Sequence, residues 1–324
     1  MDGSALPETR STCPYCGVGC GVLLRPDGRG GMAVRGDPDH PANHGRLCSK
    51  GTALAETVGI EERLLTPRIG DAEAGWDEAL DLVANRFRDA IDTYGPDATA
   101  FYVSGQLLTE DYYVANKLMK GFFGSANIDT NSRLCMASTV AGHRRAFGTD
   151  TVPGTYEDLD EADLVVLVGS NLAWCHPVLY QRLLAARDKR GTRIVVIDPR
   201  RTASCEQADL HLALAPGSDV ALFNHLLTQI YEGGALDKQY LASVNGFDAA
   251  LKSAFADKLE VTGLNPADVD AFCRMWIGTE KVVTVFSQGV NQSTSGADKV
   301  NSILNCHLAT GRVGKPGMGP LSVT

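Results

Sequence analysis

Two hydrophobic rhythms alternate along most of the chain. Trp76, Leu80, Val83, Phe87 and Ile91 recur at helical spacing and predict an amphipathic helix that stops near Tyr94-Gly95-Pro96. Short continuous apolar runs at 100–103, Leu164–Val168, Arg193–Ile197 and Val282–Phe286 predict buried strands, and 211–214 a shorter one. Helical patterns fill 178–189, closed by Arg190-Gly191, and then 218–231 and 297–310. Strands alternating with helices predict an α/β architecture whose parallel sheet is covered on both faces. Trp76 and Trp276 read as core side chains of it.

The first 75 residues lack this alternation. Four of the nine cysteines fall there, in a stretch rich in glycine and proline, which predicts a small domain organised by a metal centre rather than by a large apolar core. Residues 61–75 read as a linker.

Composition adds exclusions. The 324 residues suffice for two or three domains, and no apolar run approaches the length of a membrane helix. The net charge of -9 comes without a basic block, which argues against a nucleic-acid partner. The opening MDGSALPETRST carries neither an apolar stretch nor paired arginines, so no export signal is read and the cytoplasm is expected. In a reducing compartment, clustered cysteines are metal ligands before they are disulfides.

The chemistry concentrates in Cys13-x2-Cys16-x3-Cys20, with Cys48 further on. Three thiolates close in sequence can wrap one face of a compact centre, and a remote fourth can close it, which fits a [4Fe–4S] cluster. Gly17, Gly19 and Gly21 let backbone N–H groups approach the sulfides. Zinc remains an alternative, although zinc sites more often pair two Cys-x2-Cys units. Cys205, Cys273 and Cys306 have no ligand spacing and read as structural, and His143, His211 and His225 show no metal arrangement. The stretch Gly169-Ser170-Asn171, directly after the strand Leu164–Val168, lies where parallel sheets bind nucleotides, and Asp198 ends the next strand within conceivable reach of a ribose. A full G-x-G-x-x-G is missing, so an ordinary NAD site is not supported.

CPYCGVGCGV followed by GDPDHPANHGRLCSKG resembles the N-terminal signature of the molybdopterin oxidoreductases. NSRLCMAS resembles a segment of the nitrate reductases among them, and SQGVNQSTSG with NCHLATGRVGKPGMGP is most similar to the assimilatory nitrate reductases. The resemblance implies a small iron–sulfur N-terminal domain followed by parallel-sheet α/β domains of dinucleotide-binding type. Cys13, Cys16, Cys20 and Cys48 would then hold a [4Fe–4S] cluster, and Lys50 would lie on the electron path from cluster to pterin. Cys135 would ligate molybdenum, a role suited to a soft thiolate. A bis(molybdopterin guanine dinucleotide) cofactor would be held by Gln106, Asn131, Gly169, Ser170, Asn171, Asp198, Arg200, Gly217, Ser218, Asp219, Gln288 and Gln292. Cys175 would contribute only its backbone.

The same resemblance implies three domains: 1–66 for the cluster, 134–286 for the dinucleotide, and a discontinuous, truncated domain of 67–133 plus 287–324. It implies reduction of nitrate to nitrite by oxygen-atom transfer, with electrons from ferredoxin, flavodoxin or an NADH-dependent reductase component. The family's chains continue beyond Thr324, so this chain is expected to be their N-terminal portion. A formate dehydrogenase of the same family is the nearest alternative, but it would carry a histidine where Met136 follows Cys135. An electron-transfer module holding only the cluster is the alternative of another class.

Overall fold

A computed structural model describes residues 7–28 and 30–324. Residues 1–6, on which the expectation of no export signal partly rests, lie outside the described residues. Strands β1 (Thr9–Thr12), β2 (Gly21–Pro26) and β3 (Met32–Gly36) form a three-stranded sheet in sequence order. The stretch read as a linker holds a small antiparallel hairpin, β4 (Arg68–Ile69) with β5 (Ala72–Glu73). Strands β6 (Phe101–Val103) and β7 (Ile128–Thr130) pair in parallel. The apolar runs further on become β8 (Leu164–Val168), β9 (Arg193–Ile197), β10 (Leu210–Leu212) and β11 (Val282–Phe286), joined by β12 (Gly319–Ser322). These five make one sheet of order β10-β9-β8-β11-β12, parallel at every pairing.

Backbone contacts divide the chain into two units, one of Leu23–Val34, Thr52–Leu134 and the residues up to Thr9, the other of Arg10–Val22, Arg35–Gly51 and Cys135–Thr324. The second unit owns the five-stranded sheet. Every residue of β8 and β11 is buried, as strands covered on both faces must be, and this is why they read as unbroken apolar runs. The helices Asp219–Glu232, Pro266–Ile277 and Gly296–Ala309 supply Leu222, Phe223, Leu226, Phe272, Trp276, Ile303 and Leu304 to the core. Cys273 and Cys306 are buried in this core, and Cys205 is buried elsewhere in the unit, in keeping with their reading as structural.

A polar knot sits within that core. The His307 Nε2 lies 2.8 Å from the Thr284 hydroxyl, and Trp276 stacks edge-on against the imidazole. Arg312 lies over the Trp276 ring at 4.0 Å and donates to the Trp276 and Thr279 carbonyls. The Trp276 carbonyl belongs to the last turn of the helix Pro266–Ile277, whose negative end favours a cation. Burial still depresses the guanidinium pKa, to about 10.

In the first unit the helix Trp76–Tyr94 forms where the periodicity places it, ending at Gly95. Its burial corrects the reading of Trp76. That side chain is 65% exposed, and no residue of the helix is fully buried. Phe87 meets Phe101 and Phe123 in a cluster of three rings, whereas nothing within this unit covers the stripe at Trp76, Leu80 and Val83. Helical periodicity reports an apolar face; it does not supply the surface that would bury it. Among the described residues, no helix is long and apolar enough to cross a membrane.

Candidate functional site

The second unit brings the four N-terminal cysteines together. Desolvation raises the thiol pKa values of Cys13 and Cys20, that of Cys20 to about 12, and both are raised further by the charges of their neighbours Cys16 and Cys48. A polycationic centre beside Cys13 and Cys20 would invert that shift and favour their thiolates. Among the described residues, no three His, Cys, Asp or Glu side chains form a group for a single metal ion. Lys50 places its ammonium 5.8 Å from the centre of the Tyr15 ring, and its charge opposes the rise at Cys13.

Buried polar side chains clamp this cysteine-bearing segment. Asn43 accepts from the Gly21 N–H at 2.8 Å and donates to the Gly21 and Arg46 carbonyls, tying the Cys20 limb to the limb that leads to Cys48. Arg182, 1% exposed, donates to the Pro41 and Ala42 carbonyls and pairs with Asp160. The Tyr156 hydroxyl donates to the Gly17 carbonyl at 3.1 Å.

The second locus lies at the carboxyl ends of β8 and β11. Strand order reverses between them, and open parallel sheets leave their ligand crevice at such a point. The two loops are zipped together. The Gly289 N–H donates to the Gly169 carbonyl at 3.0 Å, and the hydroxyls of Ser170 and Ser287 lie 2.9 Å apart. Gly169 and Gly289 lie so close that a Cβ on Gly289 would come within 2.6 Å of the Gly169 Cα. Only glycine permits this approach, and at Gly169 the positive φ of 52° adds a second reason.

Cys135 is presented here. The Gln288 Nε2 lies 2.8 Å from the Cys135 Sγ, and the Gln292 Nε2 lies 4.0 Å from it. The buried Gln288 Oε1 has no hydrogen-bond partner, leaving an acceptor for a donor-rich ligand such as a pterin. Asn291 secures the segment after Cys135 by accepting from the Thr139 N–H at 3.0 Å, while the Ser138 hydroxyl donates to the Asn291 carbonyl.

Further predicted residues of this unit engage protein partners. The Asn171 Oδ1 accepts from the buried Ser204 hydroxyl, the Asp198 carboxylate accepts from the Arg200 N–H, and the Ser218 hydroxyl donates to the Ala215 carbonyl. Asp219 pairs with Lys299. Gly217 makes its turn at a φ of 90°. In the first unit the Asn131 Oδ1 accepts from the Gly105 N–H at 2.6 Å, directly before Gln106.

The family model for molybdopterin oxidoreductases matches residues 63–324, and that for their Fe4S4 domain matches residues 6–59. The chain belongs to the molybdopterin oxidoreductase family. Within that family it is 55% identical to the nitrate reductase of Klebsiella oxytoca, over 98% of this chain and 37% of that one. It is 46% identical to the nitrate reductase of Shewanella frigidimarina, over 97% of this chain and 35% of that one. With the periplasmic nitrate reductase of Desulfovibrio desulfuricans it shares 39% identity, over 97% of this chain and 44% of that one. This molybdopterin oxidoreductase chain therefore spans between a third and a half of these relatives. The acetylene hydratase of Pelobacter acetylenicus has the same fold, with a TM-score of 0.80 at 22% identity over 92% of this chain and 42% of its own.

Sequence reasoning missed Asn43, Arg182, Asn291 and Lys299. Asn43 and Asn291 stand inside motifs that flagged their neighbours. Arg182 and Lys299 occupy helices, where a lone basic residue reads as solvated surface.

Proposed function

We propose that the full-length protein is a nitrate reductase that takes an oxygen atom from nitrate and releases nitrite. The single observation carrying this reading is Cys135, held by Gln288 at the crevice where the strand order reverses. The nitrate reductases among its relatives support the choice of substrate. When bound, a bis(molybdopterin guanine dinucleotide) molybdenum centre supplies the oxygen-atom chemistry, and a [4Fe–4S] cluster supplies one-electron delivery.

The chain's own residues would hold and orient these groups. Cys13, Cys16, Cys20 and Cys48 offer the thiolates for the cluster, and Asn43, Arg182 and Tyr156 keep their loops in place. Cys135 offers the soft ligand for molybdenum, and the Gln288 amide N–H orients its sulfur. Gly169, Ser170, Asn171, Asp198, Arg200, Gly217, Ser218, Asp219 and Gln292 would receive the dinucleotide and pterin, together with Gln106 and Asn131. Lys50 would link cluster and pterin by hydrogen bonds. The division into 1–66, 134–286 and 67–133 plus 287–324 belongs to this proposal, as do the cytoplasm and a donor such as ferredoxin, flavodoxin or an NADH-dependent component.

The test uses the full-length protein, with iron, sulfide and molybdenum measured beside nitrate and formate turnover. Cys135→Ala is expected to abolish nitrate reduction while leaving the iron–sulfur spectrum intact, and Cys48→Ser to lose the cluster. Wild-type turnover in the Cys135 variant, or iron without molybdenum in the native protein, would overturn the reading.

A further inference from the structure

Lys299 stands in the first turn of the helix Gly296–Ala309 with only 4% of its side chain exposed. Its ammonium lies 2.7 Å from the Asp219 carboxylate, itself 9% exposed, and 3.4 Å from the Gly289 carbonyl. Taking two charges out of water is costly, and apolar residues often replace such pairs without loss, so stability alone is a weak reason for one here. The placement supplies another reason. Asp219 opens the helix after the Gly217-Ser218 turn, and Gly289 directly follows Gln288, so the pair joins two loops.

The peptide that Lys299 reaches is confined from the opposite side as well. Gly289 is pressed against Gly169 and donates its N–H to the Gly169 carbonyl. The side chain of the preceding residue, Gln288, reaches the Cys135 sulfur at 2.8 Å. We infer that Lys299 is a positioning residue: anchored by Asp219, it fixes the Gly289 carbonyl and thereby the Gln288 amide that orients Cys135. The inference rests on Cys135 as the molybdenum ligand.

Full-length holoenzyme carrying Lys299→Met, Lys299→Arg, Gln288→Ala, and Lys299→Met with Gln288→Ala would be compared for molybdenum content, the Mo(V) electron paramagnetic resonance signal, kcat and KM. Lys299→Met is expected to keep its molybdenum, shift the Mo(V) signal and lose about tenfold in kcat with little change in KM, the scale of an outer-shell partner. Lys299→Arg keeps the charge and should retain most of the rate. On the Gln288→Ala background, Lys299→Met should add less than about a twofold loss, because the two act through one contact. Should Lys299→Met leave Asp219 too costly to bury, Lys299→Met with Asp219→Asn removes both charges and carries the same comparison. Additive losses, or an unshifted Mo(V) signal, would overturn the inference. A wild-type enzyme with molybdenum but no nitrate turnover would instead overturn the proposed function, and the Mo(V) comparison would still judge Lys299.

Discussion

The two units use similar sequence signals to different ends. In the second, an apolar run means burial: Leu164–Val168 and Val282–Phe286 become the completely enclosed middle of a sheet. In the first, a regular apolar stripe yields a helix with no fully buried residue, and Trp76 stands in the open. Local pattern thus determines the element in both units, whereas burial depends on whether a unit contains the facing surface.

The largest test of that contrast is a matched pair of charges. Val166→Asp places a carboxylate in the middle of β8 and is expected to cost about 4 kcal/mol or more in denaturant unfolding. Leu80→Asp, on the exposed stripe, should stay within about 0.5 kcal/mol. Equal losses would erase the distinction between the units.

Acid should separate them next. Burial lowers the pKa of His143, His176 and His225, and lowers that of His307 well below the ordinary value; all four lie in the second unit. The first unit contains no histidine. A depressed histidine pKa means that the unfolded chain takes up the proton first. Its stability contribution is therefore complete above about pH 6.5 and is lost as pH falls below it. For His307 the slope approaches about 1.4 kcal/mol per pH unit. Pulsed hydrogen exchange between pH 7 and 5 should show β8 and β11 losing protection while the helix Trp76–Tyr94 changes less. A second unit indifferent to this range would contradict the assignment of these histidines as desolvated, with lowered pKa values.

Smallest, and opposite in sign between the units, are two glycine changes. Gly289→Ala drives a methyl into Gly169 and should cost about 1–3 kcal/mol in thermal unfolding. Gly121→Ala in the helix Leu118–Phe123 meets nothing within 4 Å and should stabilise by about 0.4–1 kcal/mol. A stabilising Gly289→Ala would show that the crevice is looser than the contact implies.

Much of the sheet was legible because buried parallel strands announce themselves, and four of the five were expected. The fifth, β12, was missed because Gly319 and Pro320 suppress the strand pattern, although an edge position tolerates proline. The helix Pro266–Ile277 was missed despite a sound local signal: Asn265 accepts from the Ala267 N–H, and proline opens the first turn. Within the site, Cys135 and Gln288 are far apart in sequence, and no periodicity couples them; only the resemblance singled out both. The clamp formed by Asn43, Arg182 and Tyr156 was hidden because its acceptors are backbone carbonyls, which every residue carries.

The strand order also bears on how the chain is made. β9 follows β8 closely and can cover one of its edges early in synthesis, whereas the other edge waits for β11, which begins only at Val282. Until then Leu164–Val168 presents an open, wholly apolar edge of the kind that recruits other chains, so a nascent polypeptide paused in this interval is a natural client for a chaperone. The same delay postpones the crevice, since one of its walls is the turn directly after β11. Under the proposed function, a large cofactor received there would be loaded only after translation of the sheet and would not guide its early assembly.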